Sequence, residues 1–183
     1  MEVSEADLIN KLRSGDEDAY RVLLDRHLHS LNSYVMRMMA SSADAEDIVQ
    51  ETFVRLWTHA AKYDPKVAKL STWLHNIAHN LVIDHFRKHN RLVLEEQPED
   101  FAEDAPATRP IDHLIDENTS KAVSSCLMQL PERQRSAIIM CHYQGMSNKD
   151  AAEILDVSVD AVESLMARGR RKLRQLLNVD VAG

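Results

Sequence analysis

This chain predicts an all-α protein built as two small helical domains, and three observations carry that expectation. Four glycines and five prolines in 183 residues leave too few turn formers for a β-sandwich or barrel. The strong helix formers Ala, Leu, Glu, Arg and Met are plentiful. Apolar residues recur at i, i+3, i+4, and strand-like alternation never lasts more than a few residues. No apolar run approaches the length of a membrane span, and the first residues (Met1-Glu2-Val3-Ser4-Glu5) are acidic, so neither a span nor a secretory signal is expected. Cys126 and Cys141 form no CxxC pair and are too few for a disulfide scaffold, which points to a reducing cytoplasm.

The elements follow in order. Ser4 with Asp7 makes a capping box before Leu8, Ile9 and Leu12. Ser14-Gly15-Asp16 breaks the chain, and a long helix follows with Ala19, Tyr20, Leu23, Leu24, Leu28, Leu31, Tyr34, Val35 and Met38 at helical spacing. Ser41-Ser42-Ala43-Asp44 restarts it, and Ala45, Ile48, Val49, Thr52, Phe53, Leu56, Trp57 and Ala60 repeat the period until Tyr63-Asp64-Pro65. Ser71 or Thr72 is placed to cap the next helix, which carries Trp73, Leu74, Ile77, Ala78, Leu81, Val82 and Phe86, with an interruption expected near Asn80.

Net charge marks where this domain stops. Of the formal −7, residues 96–120 alone carry eight acids against one base, Arg109, whereas residues 1–95 and 121–183 are close to balanced. The acidic segment also holds Pro98, Pro106 and Pro110 and few large apolar residues, the composition of a flexible tether. The expected organisation is a first domain over 1–95, an acidic linker over 96–118 and a second domain over 119–183.

In the second domain Val123, Cys126, Leu127 and Leu130 give a short helix, and Pro131 opens another through Ile138, Ile139 and Tyr143 to a C-cap at Gly145. Ser147 with Asp150 is a further capping box, Ala151 and Ala152 let a neighbouring helix approach closely, and Ser158 caps a helix carrying Val159, Val162 and Leu165. This is the pattern of a helix-turn-helix. Behind it stand Arg168, Arg170, Arg171, Lys172 and Arg174, suited to phosphates, while Ser158, Asp160, Glu163, Ser164 and Arg168 fall on the solvent side of the recognition helix. A basic run there also complements the negative end of a helix dipole.

Pro131-Glu132-Arg133-Gln134-Arg135 followed by the helix-turn-helix resembles region 4 of the extracytoplasmic-function (ECF) sigma factors of bacterial RNA polymerase. The run Asp44-Ala45-Glu46-Asp47-Ile48-Val49-Gln50-Glu51-Thr52-Phe53-Val54-Arg55-Leu56-Trp57 resembles the core-binding helix of their region 2, and Leu70 to Lys88 resembles the segment that reads and opens the −10 element. The resemblance implies a factor that binds core polymerase, at the clamp helices of the largest subunit and at the flap, that recognises promoter DNA, and that an anti-sigma factor holds inactive. It implies core-binding roles for Asp47, Gln50, Glu51, Val54 and Arg55, where a solvated face with intrahelical pairs is the plainer alternative. For the −10 element it implies Lys62, Lys69, Asn80, Asp84, Arg87, Lys88 and Arg91. An amide such as that of Asn80 suits a base recognised on its exposed edges, and the cations suit the backbone. For the −35 element it implies Lys149, Ser158, Asp160, Glu163, Ser164, Arg168, Arg171 and Lys172. Many members of the family carry Arg or Lys where this chain has Glu163 and Leu165, and Glu163 suits a cytosine amino group. The acidic linker reads either as a spacer keeping the domains apart or, by resemblance, as a segment passing through the polymerase cleft.

Two rival readings stand beside this one. Residues 119–177 alone fit a self-standing helix-turn-helix regulator. His75 with His79, and His85 with His89, have the i, i+4 spacing of a metal-binding helix, which a metal-dependent enzyme would use. No third ligand, nucleophile–base pair or phosphate loop is evident, so the histidines are expected on a polar face beside DNA. Neither a cofactor, a catalytic activity nor a membrane contact of its own is expected.

Overall fold

The computed structural model describes residues 3–96 and 117–180, so most of the acidic linker lies outside the described residues. Among the described residues eight α-helices account for the architecture: α1 (Glu5–Arg13), α2 (Glu17–Met38), α3 (Ser42–His59), α4 (Leu70–Glu96), α5 (Glu117–Met128), α6 (Glu132–Ile138), α7 (Asn148–Leu155) and α8 (Val159–Asp180). A 3₁₀ turn (Ala60–Lys62) follows α3 and a π-helical turn (Ile139–Tyr143) follows α6.

The helices start where short polar side chains satisfy the first free amides. Ser4 accepts from the Asp7 amide at 3.1 Å and donates to the Asp7 carboxylate at 2.6 Å. Asp16 accepts from Ala19 at 2.9 Å, Ser147 from Asp150 at 3.1 Å and Ser158 from Ala161 at 3.2 Å. The cap expected at Ser71 or Thr72 is not used. Leu70 already belongs to α4, whose ladder begins with the Trp73 amide on the Lys69 carbonyl at 3.0 Å, and Thr72 turns to another partner.

The interruption expected near Asn80 is absent, and α4 runs unbroken past it. Leu74, Ala78 and Val82 bury one side of the helix completely, while Asn80 lies on the exposed side and donates to Asn76 Oδ1 at 2.8 Å. Packing outweighs the modest helix penalty of one asparagine.

In the first domain α2 is the central helix, touching α1, α3 and α4. It buries Leu23, Leu31, Tyr34, Val35 and Met38, whereas Leu28, expected inside, is 41% exposed. Arg13 ties α1 to the end of α3 by donating to the carbonyls of Ala60 at 3.1 Å and Tyr63 at 2.5 Å. In the second domain α8 packs on α5, α6 and α7. The turn between α7 and α8 reverses through Asp156, at φ 52° in the left-handed region that short polar side chains tolerate.

The two domains are not held apart. A single apolar cluster runs from Leu8 in α1 through α2, α3 and α4 to Ile139, Met140, Ala151, Ile154 and Val162. Leu127, Leu130 and Ile138 form a second, smaller one.

Gly169 explains how closely α8 lies on α6. A methyl group added there would meet Ile138 Cδ1 at 2.5 Å, with Ile138 Cγ1 and Gln134 Cβ at 3.4 Å. We expect Gly169→Ala to cost about 1–3 kcal/mol of stability through overpacking, despite its better helix propensity. In an Ile138→Val background, which removes Cδ1, the cost should shrink or change sign. A denaturant double-mutant cycle measures this coupling, and additive effects would contradict the assigned contact.

Candidate functional site

Three surfaces collect the residues singled out in the sequence. The first is the outer side of α3. Asp47, Gln50 and Val54 are exposed, Glu51 and Arg55 half-buried, and Arg55 Nε donates to Glu51 Oε1 at 2.9 Å across one helical turn. Val54 is 50% exposed, which no core requirement explains. Beside it, three residues on, Trp57 is 39% exposed, its ring edge-on to Tyr20 with centroids 5.3 Å apart. Sequence periodicity assigned Trp57 to the core. Its neighbour at i−3, the already anomalous Val54, was the available signal that this turn faces outward.

The second surface lies at the start and along the outer side of α4. Lys62, Lys69, Asn80, Asp84, Arg87 and Lys88 are all exposed. Arg87 and Asp84 stand 3.8 Å apart, and Lys69 Nζ lies 3.9 Å from Asp150 Oδ2 of α7. Arg91 belongs to α4 but lies beyond the residues whose side chains are described. Lys62, Trp73 and Asn76 line a groove with Tyr63 and Val67, and α7 closes its edge with Glu153. Trp73 and Asn76 went unnamed as site residues because their spacing on α4 also fits an ordinary half-buried flank.

The third surface is the helix-turn-helix of α7 and α8. Lys149, Ser158, Asp160, Glu163, Ser164, Arg168, Arg171 and Lys172 are exposed without exception. Buried Ala151, Ala152 and Val162 join the two helices and leave the polar side outward. Asn148 Nδ2 donates to Glu163 Oε1 at 3.3 Å, and Arg168 Nε to the Ser164 carbonyl at 3.4 Å. Because α8 is one continuous helix, the capped first turns and the basic run share one rigid rod.

One of the two histidine pairs departs from expectation. His75 and His79 are not on a polar face: they are 1% and 7% exposed, against the second domain. His75 Nδ1 donates to the Ser71 carbonyl at 2.8 Å, and its Nε2 lies 3.4 Å from Ser30 Oγ, which donates to Gln144 Oε1 at 2.8 Å. His79 Nδ1 lies 2.9 Å from the Tyr34 hydroxyl. Burial pushes the pKa of that phenol far above its usual range, so the pair is a neutral hydrogen bond whose direction the imidazole tautomer sets. His85 is half-buried, 3.8 Å from Asp44, with the exposed His89 stacked on it. Among the described residues no group of three His, Cys, Asp or Glu is arranged to hold a metal ion, and no helix is long and apolar enough to cross a membrane.

Comparison with known proteins now decides the family. Residues 23–92 match Sigma-70 region 2 and residues 120–173 match Sigma-70 region 4. The ECF RNA polymerase sigma factor SigM of Mycobacterium tuberculosis is 32% identical over 182 residues, covering 96% of this chain and 86% of SigM. The chain belongs to the ECF sigma factor family. The ECF sigma factor SigE of Mycolicibacterium smegmatis is 31% identical over 169 residues, which cover 90% of this chain and 65% of SigE. Among solved structures, CnrH in complex with the cytosolic domain of CnrY is similar with a TM-score of 0.69 and 30% identity, covering 94% of this sigma factor and 96% of CnrH. The sigma factor RpoE of Bartonella quintana, in complex with the anti-sigma factor NepR, is similar with a TM-score of 0.72 and 27% identity, covering 88% and 98%. A self-standing regulator needs only the second region; this sigma factor matches both.

Burial lowers both interface histidines, His79 to about 4 with the Arg133 guanidinium adding to the effect, while the Ser71 carbonyl opposes the shift at His75. An unfolded chain binds these protons near pH 6.5. Between about 6.5 and 4 the unfolded state therefore holds more protons, so stability that is complete above pH 6.5 is lost as the pH falls. We expect the loss between pH 7.5 and pH 5 to be smaller by about 1–2 kcal/mol in His79→Gln, whose amide can still hydrogen-bond to Tyr34. Urea midpoints at the two pH values measure it. An undiminished loss in the variant would remove His79 as its source.

Proposed function

We propose that this sigma factor binds core RNA polymerase through the outer side of α3, sets α7 and α8 on −35 duplex, and takes the −10 non-template strand along α4 and the groove at its start. Residues 1–95 and 119–183 are the two working units, and 96–118 the tether between them. The observation that carries the reading is the surface of α8. Base-reading polar side chains in its first turns and phosphate-binding cations further along lie exposed on one unbroken helix, in a chain whose α3 also presents Val54 and Trp57.

Each surface has its own chemistry. The apolar pair Val54 and Trp57 anchors α3, and the charges around it set orientation on the partner. On α4 the cations hold sugar-phosphate, while Trp73 and the amides of Asn76 and Asn80 meet unstacked bases. The factor supplies recognition and binding energy, and the polymerase performs the chemistry, so the factor itself is no enzyme. It works in the cytoplasm and is held inactive by an anti-sigma factor, a reading supported by the complexes in which CnrH and RpoE were solved.

Two experiments test this. Val54→Asp, or Asp47→Lys with Glu51→Lys, should weaken core polymerase binding at least tenfold at unchanged helicity, since losing the solvent-accessible, half-buried Glu51–Arg55 pair costs only a few tenths of a kcal/mol. Core affinity by titration beside far-UV circular dichroism decides it, and unchanged affinity refutes the α3 assignment. On a panel of single-substitution −35 elements, Glu163→Ala and Ser164→Ala should reorder the preferred sequences by about 1–3 kcal/mol. Arg171→Ala should instead weaken all members alike and lower the salt slope by about one unit. The reverse pattern would mean that α8 docks another way.

A further inference from the structure

Glu163 is out of place on a surface meant for DNA. It is the fifth residue of α8, exposed in the second turn, where side chains of a recognition helix enter the major groove. A carboxylate there is repelled by the phosphates of both strands, so it costs affinity on every sequence unless a donor on the DNA meets it. Among the described residues Glu163 makes no ion pair that would offset this charge. Its partner is a neutral amide. Asn148, the first residue of α7, donates from Nδ2 to Glu163 Oε1 at 3.3 Å. Asn148 is half-buried and is not the cap of α7, a task that Ser147 performs. The contact ties the starts of the two helices together on their outer side, above the buried Ala151, Ala152 and Val162 that fix their packing.

We propose that Asn148 is a positioning residue that holds Glu163 as the reader of one cytosine in the −35 element. The proposal rests on the sigma-factor reading above and on α8 as the helix in the groove. A glutamate on a helix surface must give up rotamer freedom when it meets a base, and the Asn148 amide removes part of that freedom before DNA arrives. With Oε1 engaged, Oε2 is left to accept. A neutral donor also leaves the full negative charge on the carboxylate, where a lysine or arginine would have neutralised it in an ion pair.

An acceptor-only group selects a base that donates into the major groove, which leaves cytosine N4 and adenine N6. Adenine sets its N7 acceptor beside the amino group, and N7 repels the carboxylate. Cytosine has only a C–H beside its amino group. Guanine and thymine offer acceptors to the groove and are repelled outright. The order of preference is therefore cytosine, then adenine, then thymine or guanine. Part of the specificity at this position resides on α7, outside the recognition helix.

Holoenzyme assembled from core polymerase and the full chain, titrated on promoter duplexes carrying each of the four base pairs at every −35 position, tests the proposal. Wild type should prefer cytosine at one position by about tenfold over thymine. Glu163→Ala should erase that preference. Glu163→Gln should turn it to adenine, because a glutamine amide accepts from N6 and donates to N7. Asn148→Ala keeps the Ser147 cap, so it should leave the thermal midpoint and the other positions unchanged while lowering the cytosine preference about threefold. In a Glu163→Ala background the same substitution should change nothing at that position. Asn148→Ala weakening the whole panel alike, leaving the cytosine preference intact, or acting equally in the Glu163→Ala background would each overturn the proposal. So would a Glu163-dependent preference for any base other than cytosine. A wild-type chain that bound no core polymerase would instead overturn the sigma-factor reading.

Discussion

Tyr34 is fully buried where α2, α4 and α6 converge, and its hydroxyl cannot reach water. A hydroxyl left without a partner in such a place costs about 1–3 kcal/mol, so the position of the phenol constrains everything around it. It hydrogen-bonds with His79 of α4, and Ser136 of α6 approaches from the second domain. One polar group thereby sets the register of α4 on α2 and the seat of the second domain on both. The neighbouring imidazole of His75 repeats the device one turn earlier, through Ser30 and Gln144. Apolar burial supplies most of the driving force for this junction, but apolar contact alone tolerates sliding, and these hydrogen bonds do not.

The same junction is where satisfaction is least complete. Gln144 Nε2 and Arg135 Nε are buried without a hydrogen-bond partner among the described residues. Burial lowers the affinity of the Arg135 guanidinium for its proton, opposed by Glu132, and the stack on Phe86 compensates it only in part. A permanent core would be expected to satisfy these groups. Pairing is thus incomplete at the interface, whereas Leu23, Leu31, Leu56 and Leu74 are completely buried within the first domain.

Functional side chains stay outside this economy of burial. On α8 the apolar side is satisfied by Val162 and the half-buried Leu165 and Met166, and Gly169 brings the helix against Ile138 without a side chain of its own. The opposite side stays polar and exposed. On α3, Ile48, Phe53 and Leu56 satisfy the core, so the half-exposed Val54 is not needed there, while Trp57 keeps its edge-on contact with Tyr20 and still exposes over a third of its surface. An apolar residue that folding does not need, on a helix otherwise polar outside, marks a partner surface more clearly than any charge there.

Local physics made much of this legible in the sequence. Caps at Ser4, Asp16, Ser41, Ser147 and Ser158 act through amides three residues away, so they can be read from a short window. The exposed rows on α3 and α8 were readable for the same reason: helical period separates an apolar side from its opposite. What the window could not contain was decided by contacts between residues far apart in the chain. Asn80 stays helical because Leu74, Ala78 and Val82 are packed against α2 and α3. Thr72 leaves its capping role for Asp150, 78 residues away. His75 and His79 read as a polar face, since nothing near them in sequence announces that α6, the π-helical turn and α7 will cover it. Periodicity tells which side of a helix is polar; only the tertiary structure tells whether that side meets water or another domain.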